Sequence, residues 1–218
     1  MTTEPVAALL QDVAAGKYPP PDGGVTILPQ PSPRDAGVLD FTAHAVIVTD
    51  ADPDWVRAQL PEDDLGAPLR PDFLQALGAR TGRQAHSIDM ACLAWPRPGP
   101  PPIALTPMSA DRHPRVQRAL RHRDDVRHWQ ADGGVVMLGR GMAGRWEVAL
   151  EVDPGRRGQG LGRKLALAAR HLMPEADAPL WAQISPGNAA SVRAFLAAGY
   201  QPVGSEALLT VTPAAEWS

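Results

Sequence analysis

Trp146-Glu147-Val148-Ala149-Leu150-Glu151-Val152-Asp153-Pro154, followed two residues later by Arg157-Gly158-Gln159-Gly160-Leu161-Gly162, is the stretch that decides the fold. Its first part alternates as a strand does and stops at a proline. Its second part opens a helical pattern whose apolar stripe runs through Leu161, Leu165, Ala168 and Leu172, spaced i, i+4, i+7 and i+11. Small residues between a strand end and a helix start let backbone N–H groups converge on one point. That point also carries the helix's partial positive charge, so the turn suits a phosphate.

Two familiar phosphate loops do not fit. A Walker A loop requires Gly-Lys-Ser/Thr, whereas Arg163-Lys164-Leu165 follows here. A dinucleotide fingerprint requires G-x-G-x-x-G, whereas Gly158, Gly160 and Gly162 alternate strictly. The pattern (Gln/Arg)-x-x-Gly-x-(Gly/Ala), satisfied by Arg157, Gly160 and Gly162, resembles the acetyl-coenzyme A pyrophosphate loop of the GNAT superfamily of N-acetyltransferases. A second motif agrees with it. Leu180-Trp181-Ala182-Gln183-Ile184 reads as a strand, and Asn188-Ala189-Ala190-Ser191, then Phe195, then Gly199-Tyr200 resembles that family's C-terminal signature. The resemblance spans residues 103–212.

The resemblance implies an α+β fold: a mixed, mostly antiparallel, V-splayed central sheet flanked by helices, to which residues 1–95, outside the resemblance, are expected to add an N-terminal α/β extension. It implies that the strands holding Leu150 and Ile184 part to admit pantetheine, with the backbone of Leu150 and Val152 pairing to it. The Leu150 N–H would polarise the acetyl carbonyl, an oxyanion-type contribution. Amides of Arg157, Gly158, Gln159, Gly160, Leu161 and Gly162 would hold the pyrophosphate. Asn188 would bond the pantetheine arm, in addition to capping its helix, with Ser191 close by.

The catalytic positions depart from the family. Phe195 stands where many members carry a tyrosine acid, Gln183 where a glutamate base is found in the ribosomal-protein alanine acetyltransferases, and Trp146 where other members have a glutamate. A thiol of pKa about 8.5 leaves tolerably without an acid. The missing base matters more: a lysine-like amine is roughly 0.04% neutral at pH 7, an α-amine roughly 9–17%. Weakly basic amines and α-amines are therefore the expected acceptors. Two carboxylates remain on the strand, Glu147 and Glu151; Glu147 is the better placed for a general base acting through water, and each is otherwise a solvated or salt-bridged strand carboxylate.

Composition sets the outer bounds. The chain has 218 residues, a net charge of −3, and one cysteine, Cys92, which leaves no disulfide, no cysteine cluster for a metal, and no acyl-cysteine intermediate within either motif. Transfer is expected to be direct. No run approaches a membrane span, the first residues lack a secretory pattern, and a cytoplasmic location follows by default. Residues 101–218 carry 14 Lys and Arg against 11 Asp and Glu, too small an excess to suggest nucleic acid. The partners expected are acetyl-CoA and an amine, with a homodimer left open.

The prolines of 96–102 suggest a linker, with an N-terminal α/β region at 1–95 and the acetyl-CoA-binding domain at 103–218. The first region is either a degenerate second copy of the fold or an extension that supplies strands. Within it, 37–48 reads as one strand, 54–60 and 72–79 as helices, and 87–95 as a strand, with His86 and Asp89 near a cleft. In the second region, Asp111 is placed to cap a helix reaching Arg121, and Ala131-Asp132-Gly133-Gly134 signals a hairpin. The basic run from Arg112 to Arg123 reads as a solvated helix face with Val116 and Leu120 inward, or as a contact for an acidic substrate or phosphate. Trp146 and Trp181 read as core or cleft wall. The rival to a transferase is a CoA- or acyl-CoA-binding sensor, and a longer acyl donor is the third alternative.

Overall fold

The computed structural model describes residues 4–108 and 113–211. In chain order these form α1 (Pro5–Ala14), β1 (Val25–Leu28), β2 (Ala36–Phe41), β3 (His44–Val48), α2 (Pro53–Ala58), α3 (Pro71–Thr81), β4 (Gln84–Ala85) and β5 (Asp89–Ala94). They continue with β6 (Thr106–Pro107), α4 (Pro114–His122), β7 (Asp124–Ala131), β8 (Gly134–Arg140), β9 (Trp146–Val152), α5 (Leu161–His171), β10 (Leu180–Ile184), α6 (Ala189–Ala197) and β11 (Gln201–Thr210). Among these residues no helix is long and apolar enough to cross a membrane.

The chain divides into two compact units along a line different from the proline boundary. Residues 1–90 and 203–218 make one unit, and 91–202 the other. The physical reason is strand pairing. The C-terminal strand β11 is one continuous strand, and it runs antiparallel to β2, from Ser205 opposite Asp40 to Leu209 opposite Ala36.

In the first unit the strand order is β1-β3-β2-β11, with β4 beside β11. The stretch 37–48 is a hairpin, not a single strand. Ala43, at φ +52°, makes the reversal without a glycine, so the usual turn signal is missing from the sequence. Ala36, Val38, Ile47, Val56, Phe73, Leu77, Ala207 and Leu209 form the core. His44 ties β3 to β1, with Nδ1 2.8 Å from Asp22 Oδ1 and Nε2 2.9 Å from Thr26 Oγ1.

In the second unit the order is β5-β10-β9-β8-β7-β6. Strands β6 to β9 are antiparallel throughout, and β9 and β10 run parallel. This is the mixed, mostly antiparallel sheet that the sequence implied. The two faces of β9 meet different helices. Ala149 lies with Val135 and Met137 under Val116 and Ala119 of α4. Gly134 and Val152, on the opposite face, lie against Leu165 and Gly162 of α5.

Helix α4 starts at Pro114, with the side chain of His113 accepting from the Arg115 amide; Asp111, the expected cap, lies outside the described residues. Leu120, expected inward, is exposed. The inward stripe runs through Val116 and Ala119, and Arg123, one turn beyond Ala119, continues it onto the sheet, where its side chain lies over Gly139.

Candidate functional site

The end of β9 and the start of α5 form the predicted turn. Gly158 and Gly160 adopt φ of +74° and +78°, a region that side chains beyond glycine enter at a cost of roughly 1–2 kcal/mol. Gly160 is the N-cap of α5, and no side chain among the described residues caps the helix. The first-turn amides are left to whatever binds in front of them. A Cβ at Gly158 or Gly160 would project into open space, and Arg157 through Gly160 are exposed. At Gly162 a Cβ would stand 3.6 Å from Ala194 and 3.7 Å from Val152, so this last glycine seats α5 between β9 and α6. These features fit a bound diphosphate: oriented N–H donors, a helix N-terminus, and room.

The neighbouring strands separate as expected. β9 and β10 share only Leu180–Trp146 and Trp181–Glu147 in register. From Val148 onward β9 stays paired to β8 without a register partner on β10. Leu150, half-buried, sits in this unpaired part. So does Val152, but its carbonyl already accepts from Arg157 Nε at 3.2 Å, a bond the sequence did not suggest. Asn188 caps α6, its Oδ1 accepting from the Ser191 amide at 3.1 Å. The structure therefore brings Leu150, Val152, the 157–162 turn, Asn188 and Ser191 together within one unit.

Glu147 has surroundings that oppose the general-base role expected of it. It is only 3% exposed. Arg123 Nε lies 2.8 Å from one carboxylate oxygen and Arg145 Nε 2.9 Å from the other. Burial alone would raise its pKa, but the two guanidiniums overcome this and hold the carboxyl at about 2. Taking a proton from an α-ammonium of pKa about 8 would be uphill by roughly 8 kcal/mol. That exceeds what general-base catalysis returns. Glu147 is an anchor for two arginines. Gly141 makes the anchor fit, since a Cβ there would stand 2.2 Å from the Glu147 carboxyl carbon.

Gln183, on the same face of β10 as Trp181, accepts from Arg123 Nη2 at 3.4 Å. Its amide nitrogen is buried and has no hydrogen-bond partner among the described residues. Arg145 stacks 5.0 Å above the Trp181 ring, and Arg115 lies within electrostatic reach of both Glu151 and Arg123. Sequence reasoning missed Arg123 and Arg145. Arg145 was findable, because i and i+2 on a strand share a face; Arg123 comes from another element and leaves no local signal.

The other candidates are structural. Phe195 packs edge-on to Tyr200 at 4.9 Å. Tyr200 is buried, donates to the Ala166 carbonyl at 3.2 Å, and burial pushes its phenol well above the usual range. Trp146 is a core residue, 2% exposed, with Arg140 stacked 4.4 Å from its ring. Cys92 is fully buried, its thiol pushed up to about 11 by burial, which makes it a poor nucleophile. His86 belongs to the first unit, where it lines a cavity of about 530 Å³ with Gln75, Arg83 and Ser87.

Residues 98–200 match the family model described as acetyltransferase (GNAT) family. A comparison with curated proteins found no match. Among solved structures, the chain is similar to a GCN5-related N-acetyltransferase from Kribbella flavida, at 17% identity over 63% of each chain with a TM-score of 0.41. It is also similar to a GNAT-family protein from Novosphingobium aromaticivorans, at 16% identity over 61% of this chain and 69% of that one, with a TM-score of 0.38. The chain thus spans 63% of the first structure's length.

Proposed function

We propose that this protein, whose residues 98–200 form a domain of the GNAT acetyltransferase family, transfers an acetyl group from acetyl-CoA directly to a weakly basic amine or an α-amine. The observation that carries this reading is the conjunction at β9: an uncapped, glycine-lined turn at the N-terminus of α5, beside a strand whose pairing to β10 ends after Glu147. Bound acetyl-CoA supplies the acetyl thioester.

The chain's own residues would then act as follows. The amides of Gly158 to Gly162 hold a diphosphate through the helix dipole and direct N–H bonds. The Leu150 N–H, on the unpaired part of β9, is the donor for a developing oxyanion. Asn188 and Ser191 hold the end of α6 against the pantetheine path. A proton leaving the amine has no strong acceptor at Gln183, Phe195 or the clamped Glu147, and Glu151, half-buried on β9, receives it through water. This arrangement suits an amine that is already partly neutral at pH 7. The buried, high-pKa Cys92 fits a reaction without an acyl-enzyme.

The test is acetyl-CoA-dependent thiol release across a panel of α-amines, aromatic amines and lysine ε-amines. The reading expects turnover on the first two classes. Rapid ε-acetylation without α-amine activity would refute the preference. Tight binding of acetyl-CoA with no turnover on any class would instead establish a CoA-binding sensor.

A further inference from the structure

The cavity of the first unit contains none of the residues assigned above to acetyl-CoA, and its wall is built for a ligand of a different kind. Helix α3 ends at Gly82, whose left-handed φ of +68° turns the chain back. The Arg83 amide donates to the Gly78 carbonyl at 2.8 Å. A Cβ at Gly78 would stand 2.6 Å from the Arg83 carbonyl oxygen, so a glycine there lets residues 83–88 return close beside the helix. The space of about 530 Å³ that remains lies between the helix and this returning segment, and it has the size of a small-molecule site.

The lining divides by chemistry along α3. Pro71 and Leu74, in the first turns of the helix, and Ile88 of the returning segment make an apolar wall, and Ile88 remains 38% exposed. Arg83 stands beside Gly78. From Pro71 to Ala79 the helix rises roughly 12 Å, at about 1.5 Å per residue. No lining residue is acidic, and Arg83 carries the one permanent charge among them. The acids that flank the cavity are engaged: Asp72 receives Arg70 through both oxygens, and Asp89 accepts from Ser87 Oγ at 3.1 Å. His86, also in the wall, is engaged as well.

Arg83 itself is under-satisfied. It is half-buried, its Nη2 donates to the Pro33 carbonyl, and its Nη1 is buried without a hydrogen-bond partner. Among the described residues no carboxylate pairs with it. A guanidinium has five N–H donors, and a neutral carbonyl leaves its charge uncompensated. An anion with two oxygens is the group that suits such a fork.

We propose that this cavity binds a small amphiphilic carboxylate, its apolar chain lying against Leu74 and Ile88 and its carboxylate on the Arg83 guanidinium. The head is held by charge-assisted N–H···O bonds, and the chain by burial of apolar surface. A cationic amphiphile would find no acid in the wall to receive it, and an inorganic anion would leave the apolar wall uncovered. The site is independent of the transferase reading.

The experiment titrates the full chain with octanoate and with its neutral counterpart octanamide, read by calorimetry and by amide chemical shifts. Octanoate is expected to bind about tenfold or more tightly than octanamide, the scale of a hydrogen bond to a charged group. Its shifts should centre on Leu74, Gly78, Arg83 and Ala85. Arg83→Met is expected to remove the difference by weakening octanoate alone. Ala79→Leu, at an exposed helical position in the lining, is expected to weaken both ligands by filling the space, and it keeps the test decisive should Arg83→Met fail to fold. Octanamide binding as well as octanoate would overturn the inference. So would octanoate binding untouched by Ala79→Leu, shifts centred on Gly158–Gly162 instead, or no binding of octanoate at millimolar concentration.

Discussion

Glu147→Gln separates an anchor from a base. The substitution keeps size and shape but removes the negative charge between Arg123 and Arg145, which lie 2.8 and 2.9 Å away. Removing one partner of a buried ion network typically costs 3–5 kcal/mol. The protonation equilibrium gives an independent figure. The gap between an ordinary 4.5 and about 2 corresponds to about 3 kcal/mol at 1.36 kcal/mol per pH unit. For a chain of this length that predicts a Tm lower by roughly 6–20 °C. The sign with pH follows from the depressed value. This stabilisation is fully present above about pH 4.5 and is lost as the pH falls toward 2, so acidification from pH 5 to pH 3 should lower the wild-type Tm more than that of the variant. Activity, assayed well below the variant's Tm, should stay within about tenfold of wild type on α-amine and aromatic-amine acceptors. General-base loss would cost about 100-fold or more. A variant with an unchanged Tm and turnover reduced 100-fold would refute the anchor and restore the base.

Three further outcomes are expected. Gly160→Ala, at φ +78° and in front of α5, should raise the Kd for acetyl-CoA about tenfold in calorimetric titration while lowering stability by roughly 1–2 kcal/mol; unchanged affinity would remove the turn from the site. Tyr200→Phe should lose only the bond to the Ala166 carbonyl, about 1 kcal/mol of stability, with kcat and its alkaline pH limb unmoved; a lost alkaline limb would make the phenol a proton donor. Cys92, with its thiol near 11, should react with a disulfide reagent at pH 7 far more slowly than a free thiol, and Cys92→Ser should retain turnover; rapid native-state labelling accompanied by loss of activity would contradict direct transfer.

The parts legible in the sequence are those written in consecutive residues. The strand, turn and helix from Trp146 to His171 were readable because alternation, a terminating proline and left-handed glycines all lie within one short stretch. Asn188 was readable as a cap for the same reason. What escaped depends on partners distant in the chain. Nothing near Gln201–Thr210 says that it will run beside Ala36–Phe41, so the sequence alone does not show that residues 203–218 group with 1–90. The hairpin at Ala43 escaped because a non-glycine residue takes the left-handed turn. Arg123 meets Glu147 across 24 residues, and with it the role assigned to Glu147 changed from base to anchor. A trace of that network was present: Arg145 and Glu147 share a strand face, and Gly139 and Gly141 on the preceding segment are small where both Arg123 and Glu147 need room.

The central claim is direct transfer from a donor held at the Gly158–Gly162 turn to an amine that the protein does not deprotonate strongly. It is tested most directly by mixing the protein with acetyl-CoA, with and without an aromatic or α-amine, and following both thiol release and the intact mass of the protein. The account predicts thiol release that depends on the amine and saturates with it, an N-acetylated product in equal amount, and an unmodified protein mass throughout. A burst of thiol in the absence of amine, with the protein gaining one acetyl group, would contradict it.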